Sequence, residues 1–247
     1  MPTTKQRLDQ LLVARGYFES REKAQRAIMA GAVSVGEQRV DKAGTRIAED
    51  AAITVKSAER YVGRGGLKLE AALAHFAIDP TGATCLDIGA STGGFTDCLL
   101  QHGAARVFAI DVGHSQLDWK IRSDPRVVVR EKLNARHLTS GDIPEPIAVC
   151  VIDVSFISLT LILPPAIALL RDGGVLVPLI KPQFELRKED VGRGGVIRDP
   201  ALHARAVEKI RAFVATLPGV EWCGVIASPI LGGEGNTEFL ACLRASV

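Results

Sequence analysis

Two charged side chains stand directly after long apolar segments in the second half of the chain. Asp153 follows the run Ile147–Ile152, and Lys181 follows the run Gly174–Ile180. Both runs predict buried strands of a parallel sheet, whose carboxyl ends lie at one edge, so we expect the two side chains to lie near each other. A carboxylate and a lysine at such an edge can remove a proton from a hydroxyl group. They can also form a structural ion pair, and both interpretations stay open at this point.

Two further charged residues lie close to the predicted ends of structural elements. Lys68 falls in a predicted helix after an arginine- and glycine-rich segment, and Glu238 opens the predicted last strand. Taken singly, each is more easily explained as a surface residue. Both could converge on the edge that holds Asp153 and Lys181, but their position alone leaves their role open.

A glycine-rich turn after the predicted strand Thr84–Ile88 is the candidate cofactor loop. Glycines at such a turn allow the backbone to approach a ligand closely, and the helix that begins near Gly94 offers free N–H groups. The candidate residues of this loop are Gly89, Ala90, Ser91, Thr92, Gly93, Gly94 and Phe95. Asp87, in the strand itself, could either contact the cofactor or position the loop by hydrogen bonds.

Polar residues at the ends of the next two strands extend this candidate site. Asp111 and Val112 follow the run Arg106–Ile110, and Asn134 follows the third strand. An acid at the end of the second strand can bind ribose hydroxyls, which indicates a nucleoside ligand. The loop has neither the GxGxxG spacing nor the Gly-Lys-Ser/Thr of a phosphate-binding loop. S-adenosylmethionine is therefore favoured over NAD or ATP.

The remaining pattern defines two regions. From residue 83 onward, apolar strands alternate with helical segments, which predicts a parallel sheet covered on both faces, and two last runs predict a terminal β-hairpin. Residues 1–60 instead predict two helices, with Ser20 as N-cap and Gly31 as the stop, followed by short strands. Their charge balance is +3, against −1 for the rest of the chain. Lys23 and Arg26 share one exposed face of the second helix.

The composition narrows the classes of protein. Hydrophobic residues make up 47% of the 247 residues, which is enough for a packed core. The five cysteines show no CxxC spacing, so we expect neither disulfides nor a metal site. The longest apolar stretch, residues 156–170, contains two prolines and is too short to cross a bilayer. We therefore expect a cytoplasmic protein without membrane segments.

Two resemblances connect these features to a family. The N-terminal order, with Ser20-Arg21 opening a helix that leads through Gly31 into Val33-Ser34-Val35-Gly36, resembles the S4 RNA-binding module. The Asp-x-Gly-x-x-x-Gly-Gly-Phe run from Asp87 is similar to motif I of ribose methyltransferases. The charged residues match, in order and context, the Lys-Asp-Lys-Glu tetrad of ribose 2′-O-methyltransferases: Lys68, Asp153, Lys181 and Glu238.

The whole chain resembles the TlyA or haemolysin A family of S4-domain rRNA methyltransferases, whose catalytic half is related to the FtsJ group. The resemblance implies an α/β fold: a Rossmann-like class I methyltransferase domain with a seven-stranded, mostly parallel sheet, preceded by a small α+β S4 domain. The expected domains are residues 1–59 (S4-like), 60–66 (basic Gly/Arg linker) and 67–247 (methyltransferase). The resemblance further implies that S-adenosylmethionine is the cofactor and that ribosomal RNA or a ribosomal subunit is the partner. The expected target is the 2′-hydroxyl of cytidine, and neither DNA nor a membrane is an expected partner.

The resemblance also implies roles for individual residues. Lys181 would act as general base, Asp153 would orient it, and Lys68 and Glu238 would hold the ribose. The expected RNA-binding residues are Arg7, Arg21, Lys23, Arg26, Arg60 and Arg64. Three alternatives remain: a membrane-damaging haemolysin, a non-catalytic S4 RNA-binding protein, and a base methyltransferase. No segment suits the first, and strand four lacks the Asn-Pro-Pro-Tyr-like motif or cysteine of the third.

Overall fold

The chain folds into two compact units, residues 1–59 and residues 60–247. The computed structural model describes residues 4–56, 60–192 and 194–246. The small unit contains helices and short strands, and the large unit contains a seven-stranded sheet with helices on both faces. The α/β fold with a preceding small α+β unit, expected from the sequence, is confirmed.

The small unit begins with two helices, α1 (Leu8–Ala14) and α2 (Arg21–Met29). Ser20 caps α2 as predicted, because its hydroxyl accepts a hydrogen bond from the backbone N–H of Lys23 at 3.3 Å. Gly31 follows with a φ of +69°, a left-handed conformation that glycine adopts at little cost. Helix α2 therefore begins directly after its predicted N-cap, Ser20, and ends two residues before the predicted stop, Gly31.

Five short strands complete the small unit: β1 (Lys5–Arg7), β2 (Val33–Val35), β3 (Gln38–Arg39), β4 (Arg46–Ala48) and β5 (Ile53–Val55). β2 pairs with β3 and β5, in the regions where the sequence predicts strands. β1 and β4 form a second antiparallel pair. The sequence does not predict this pair, because three residues are too few to show an alternating pattern.

The sheet of the large unit has the order β11-β12-β10-β9-β6-β7-β8. Its strands are β6 (Thr84–Ile88), β7 (Arg106–Asp111), β8 (Val127–Glu131), β9 (Ile147–Ile152), β10 (Leu170–Ile180), β11 (Val220–Ala227) and β12 (Phe239–Ala245). The pairs among β6 to β10 are parallel, whereas β12 runs antiparallel to β10 and β11. β10 begins four residues earlier than predicted, with a register shift between Leu170 and Val175. The predicted terminal hairpin is β11–β12.

Helices cover both faces of this sheet: α3 (Gly65–His75), α4 (Gly94–Gln101), α5 (Trp119–Arg122), α6 (Leu163–Ile167), α7 (Pro182–Glu185) and α8 (Pro200–Val214). α3 and α4 pack on one face through a core that includes Leu69 and Leu99. α6 and α8 pack on the other through Leu163 and Ile210. None of the helices within the described ranges combines the length and the apolar character needed to cross a bilayer.

Residues 60–66, which the sequence suggests as a basic Gly/Arg linker, include side chains and a backbone group that contact the large unit. Tyr61 is only 3% exposed and packs in the same core as α3 and α4. The backbone N–H of Val62 donates to the buried carboxylate of Asp97 at 2.9 Å, and α3 already begins at Gly65. The burial of Tyr61 and the hydrogen bond of Val62 therefore attach this segment to the large unit.

Candidate active site and RNA-binding residues

The carboxyl ends of neighbouring strands bring the predicted residues to one edge of the sheet. Ile152 lies between Ile88 of β6 and Pro178 of β10 in the ladder. The next residue of β9, Asp153, donates its backbone N–H to the carbonyl of Ile88 at 2.9 Å. Lys181 follows β10 two residues beyond Leu179. The parallel sheet therefore supplies the edge at which Asp153 and Lys181 meet, as the strand pattern predicted.

Lys181 and Asp153 form an ion pair at this edge. Lys181 Nζ lies 2.6 Å from Asp153 Oδ1, and the same nitrogen donates to Ser155 Oγ at 3.0 Å. The lysine side chain is only 10% exposed. Asp153 and Ser155, rather than water, therefore surround its amine. The ring of Phe184 lies 5.9 Å from Nζ, which adds a weak cation–π contact.

Lys68 and Glu238 form the second ion pair, with 2.5 Å between Lys68 Nζ and Glu238 Oε2. Both side chains are almost fully buried, although they are 170 residues apart in sequence. The register Ile180↔Phe239 places Glu238 next to the end of the strand that carries Lys181. Gly232 packs so closely that an added Cβ would lie 2.0 Å from Glu238 Oε1. Helix α3 and the β11–β12 connection thus enclose this pair.

Two cavities that share residues open at the same edge. The larger, about 560 Å³, is lined by Gly89, Ser91, Asp111, Val112, Asn134 and Asp153, among others. The smaller, about 230 Å³, is lined by Gly65, Ala90, Thr92, Gly94, Phe95 and Lys181, together with residues shared with the larger one. The larger volume is in the range of small-molecule sites. Of the predicted cofactor residues, Gly93 alone lines neither cavity; it caps α4.

Asp111 is held in place by the glycine-rich turn. Its Oδ2 accepts a hydrogen bond from the N–H of Ser91 at 2.9 Å, and its Oδ1 accepts one from the N–H of Gly113 at 2.7 Å. Each carboxylate oxygen keeps further acceptor capacity. Since the side chain lines the larger cavity, it can accept hydrogen bonds from ribose hydroxyls there. This donor and acceptor set fits a nucleoside cofactor.

Gly89 is the position where the turn depends most on glycine. Its φ is +86°, and an added Cβ would lie 2.4 Å from the backbone oxygen of Asp153. The close approach of β6 and β9 at this point leaves no room for a side chain. Ser91, two residues on, adopts a φ of +48°, a conformation that costs a non-glycine residue free energy and often marks a ligand site.

Asp87 has a structural position. It is fully buried, lines neither cavity, and its Oδ2 accepts a hydrogen bond from Thr96 Oγ1 in α4 at 2.6 Å. Burial raises the pKa of this carboxyl to about 7, and the Thr96 hydrogen bond opposes the rise only in part. Of the two interpretations that the sequence allowed, the positioning of the loop is the one supported.

Gly65, Ser155 and Phe156 are among the residues of this edge that sequence reasoning missed. Gly65, at the start of α3, lines the smaller cavity, and Ser155 lines both cavities. Phe156, at the larger cavity, is 90% exposed, has a φ of +64°, and packs its ring against Phe184 with 5.1 Å between centroids. Ser155 and Phe156 directly follow Asp153-Val154, so proximity to a strand end was the available signal.

The predicted RNA-binding residues of the small unit include two arginines that share one buried acid. Asp9 is fully buried, and its carboxylate accepts hydrogen bonds from Arg7 (3.1 and 3.0 Å), Arg21 (2.7 Å) and Gln25 (2.8 Å). The side chains of the two arginines are 39% and 49% exposed. Asp9 therefore fixes the orientation of two cationic groups that still face solvent.

The other predicted RNA-binding residues have exposed side chains. Lys23 pairs with Glu19 on the surface, and Arg26 is exposed on the same helix. In the large unit, Arg60 pairs with Glu70 and lies over the ring of Tyr61. Arg64 donates to the carbonyl of Leu231 at 3.0 Å: a contact to the connection that precedes Glu238.

We expect the stability of the small unit to depend on pH through Asp9. The Arg7 hydrogen bonds hold the pKa of this carboxyl well below its usual range, although burial opposes them. Its contribution is thus present above the unfolded pKa of about 3.9 and is lost as the pH falls towards the folded value. Asp9→Asn should lower the free energy of unfolding at pH 7 by about 1–3 kcal/mol and remove this acid dependence.

The measurement is hydrogen exchange of peptides from α1 and α2 in the full chain, after incubation between pH 2.5 and pH 7. Asp41→Asn is the matched control, because Asp41 is exposed. Equal acid sensitivity of the wild-type protein and the Asp9 variant would contradict the assigned role.

The family matches agree with this architecture. Residues 61–245 match the FtsJ-like methyltransferases, and residues 6–53 match the S4 domain. The chain therefore belongs to the FtsJ-like methyltransferase family and carries an S4 domain, which confirms the resemblance seen in the sequence. S-adenosylmethionine is the cofactor that this membership implies, in agreement with the geometry of the larger cavity.

Three relatives are similar to this chain over almost its whole length. TlyA of Mycobacterium tuberculosis, a 16S/23S rRNA (cytidine-2′-O)-methyltransferase, is 46% identical over 240 residues, covering 96% of this chain and 89% of TlyA. Hemolysin A of Brachyspira hyodysenteriae is 44% identical over 236 residues, covering 95% and 98%. The solved structure of a candidate hemolysin from Streptococcus thermophilus is 46% identical, with a TM-score of 0.74 and coverage of 99% and 90%.

Proposed function

We propose that this protein methylates the 2′-hydroxyl of cytidine in ribosomal RNA. The observation that supports this most directly is the Lys181–Asp153 ion pair, which lies beside a cavity of nucleoside-binding size. A ribose hydroxyl is a weak nucleophile that needs a proton acceptor, and this pair can provide one. The name of the relative TlyA, identical at 46% of positions over almost the whole chain, supports rRNA and cytidine as the target.

The residues of the larger cavity would hold the cofactor. Asp111 would accept hydrogen bonds from the ribose hydroxyls, while Val112 and Asn134 would border the adenine. The turn from Gly89 to Phe95 would allow close approach of the amino-acid part, with Asp153 facing it from the neighbouring strand. When bound, S-adenosylmethionine supplies the methyl group as an electrophile.

The four charged residues would then act on the substrate ribose. Lys181, as the neutral amine, would accept the proton of the 2′-hydroxyl and so make its oxygen a stronger nucleophile. Asp153 orients the amine and stabilises the ammonium that forms. Lys68 and Glu238 would hold the ribose from the other side, and each compensates the charge of the other. The site would also align the oxygen of the ribose 2′-hydroxyl with the methyl group that it receives.

The S4 domain would supply affinity for the RNA. Arg7 and Arg21, oriented by Asp9, can contact phosphate oxygens, and Lys23 and Arg26 add positive charge on α2. In the large unit, Arg60 and Arg64 lie in the segment that leads into α3. We place the reaction in the cytoplasm, on rRNA or an assembled subunit. Because DNA lacks the 2′-hydroxyl, it is excluded as a substrate.

Methyl transfer from S-adenosyl-[methyl-³H]methionine tests this proposal with the purified full chain. Ribosomal subunits, protein-free rRNA and a DNA copy of the labelled region are compared, and 2′-O-methyl groups are located by mass mapping. We expect label in RNA at cytidine 2′-oxygens and none in DNA. A methyl group on a base would contradict the proposal. Cofactor and RNA binding without label transfer on any rRNA form would instead support the alternative of a non-catalytic S4 protein.

A further inference from the structure

Ser155 lies in the candidate active site, in direct contact with the amine of Lys181. Its Oγ accepts a hydrogen bond from Lys181 Nζ at 3.0 Å, while Asp153 Oδ1 lies 2.6 Å from the same nitrogen. Ser155 lines both cavities and is exposed towards them. Lys181 itself is nearly buried, so these two oxygens dominate the surroundings of its amine.

We propose that Ser155 is a positioning residue that directs the lone pair of Lys181 towards the substrate hydroxyl. The inference rests on the proposed function, because it assumes that Lys181 accepts the proton. A neutral lysine amine has two N–H bonds and one lone pair. Ser155 Oγ accepts one N–H, and the negative Asp153 Oδ1, an ion-pair contact at 2.6 Å that accepts no hydrogen bond, repels the lone pair, so the lone pair occupies the remaining tetrahedral direction.

The proton balance follows from this arrangement. The ribose hydroxyl gives its proton to the lone pair, the O–H electron pair forms the new O–C bond, the C–S bond of the methyl donor breaks with its electron pair left on sulfur, and Lys181 becomes an ammonium with three N–H groups. One of these keeps its hydrogen bond to Ser155, the positive charge faces Asp153, and another N–H carries the transferred proton. Without the Ser155 hydrogen bond, the amine could rotate about its Cε–Nζ bond, so its lone pair would point to the substrate for only part of the time.

The charged groups at this edge limit what else could orient the amine. Asp153 comes from the end of β9, and the Lys68–Glu238 pair comes from α3 and the start of β12. Glu238 is already paired with Lys68, and Phe184 of α7 contributes a ring face. Ser155 is therefore the neutral acceptor that completes the orientation of Lys181.

Ser155→Ala and Ser155→Thr test the proposal by a comparison of kcat with KM. We expect Ser155→Ala to lower kcat about 10–100-fold, as expected for a misdirected reacting group. The KM for RNA and the calorimetric Kd for S-adenosylmethionine should stay within about twofold of wild type. Ser155→Thr, which keeps the hydroxyl, should restore kcat to within about threefold. Ser123→Ala, which changes an exposed serine directly after α5, is the matched control.

Each other outcome has a defined meaning. An unchanged kcat in Ser155→Ala, or a kcat equally low in Ser155→Thr, overturns the positioning role. A weaker calorimetric Kd with unchanged kcat assigns Ser155 to cofactor binding and also overturns it. If Ser155→Ala is unaffected while Lys181→Ala is inactive, the proposed function stands without this inference. If Lys181→Ala is fully active, the general base itself is wrong.

Discussion

Replacement of Lys181 by alanine is expected to lower the rate of methyl transfer by about 10²–10⁴-fold, the range for loss of a general base. Lys181 Nζ is placed by Asp153 and Ser155 at the smaller cavity, and the residues assigned to the cofactor lie mainly around the larger one. Calorimetric affinity for S-adenosylmethionine should therefore change little. The measurement is single-turnover transfer of labelled methyl groups to rRNA.

Lys181→Arg is the informative companion variant. Arginine keeps the positive charge beside Asp153, but its guanidinium stays protonated and cannot accept a proton. We therefore expect the arginine variant to be as slow as the alanine variant. If Lys181→Arg kept near wild-type rates, the lysine would act through its charge alone, and the proton would have to leave by another route.

Replacement of Gly89 by alanine is expected to weaken cofactor binding and destabilise the large unit. An added Cβ would lie 2.4 Å from the backbone oxygen of Asp153, and a backbone atom cannot move aside as a flexible side chain can. The φ of +86° adds conformational strain. We expect a loss of about 2–4 kcal/mol in the free energy of unfolding. The Kd for S-adenosylmethionine should rise more than about tenfold, or about 1.4 kcal/mol.

Gly82→Ala is the control that separates the cost of backbone strain from the cost of steric overlap in Gly89→Ala. Gly82 also has a positive φ, of +69°, but nothing lies within 4 Å of its added Cβ. This control should lose only about 1–2 kcal/mol and keep its affinity for the cofactor. Denaturant unfolding followed by tryptophan fluorescence reports on the large unit, because both tryptophans, Trp119 and Trp222, belong to it. Equal behaviour of the two variants would contradict the steric argument.

Much of the large unit could be predicted from its residues. Runs such as Ile147–Ile152 are apolar at every position, which suits a strand buried on both faces, and the structure places β9 at the centre of the sheet. The glycine-rich turn and Asp111 predicted the nucleoside cavity, because strand ends of a parallel sheet converge at one edge. The strand pair β1–β4 and the early start of β10 were missed, since short or irregular strands carry little periodic signal.

Sequence alone determined which residue types stand at the strand ends, and hence the class of chemistry. Tertiary structure decided their partners: Lys181 with Asp153 and Ser155, Lys68 with Glu238, and Arg7 with Asp9. It also decided that Tyr61 and Val62, in the segment suggested as a linker, contact the large unit. The reason is physical: an apolar pattern fixes which side of an element is buried, whereas ion pairs and hydrogen bonds depend on distances between residues far apart in sequence, which the order and register of the strands set.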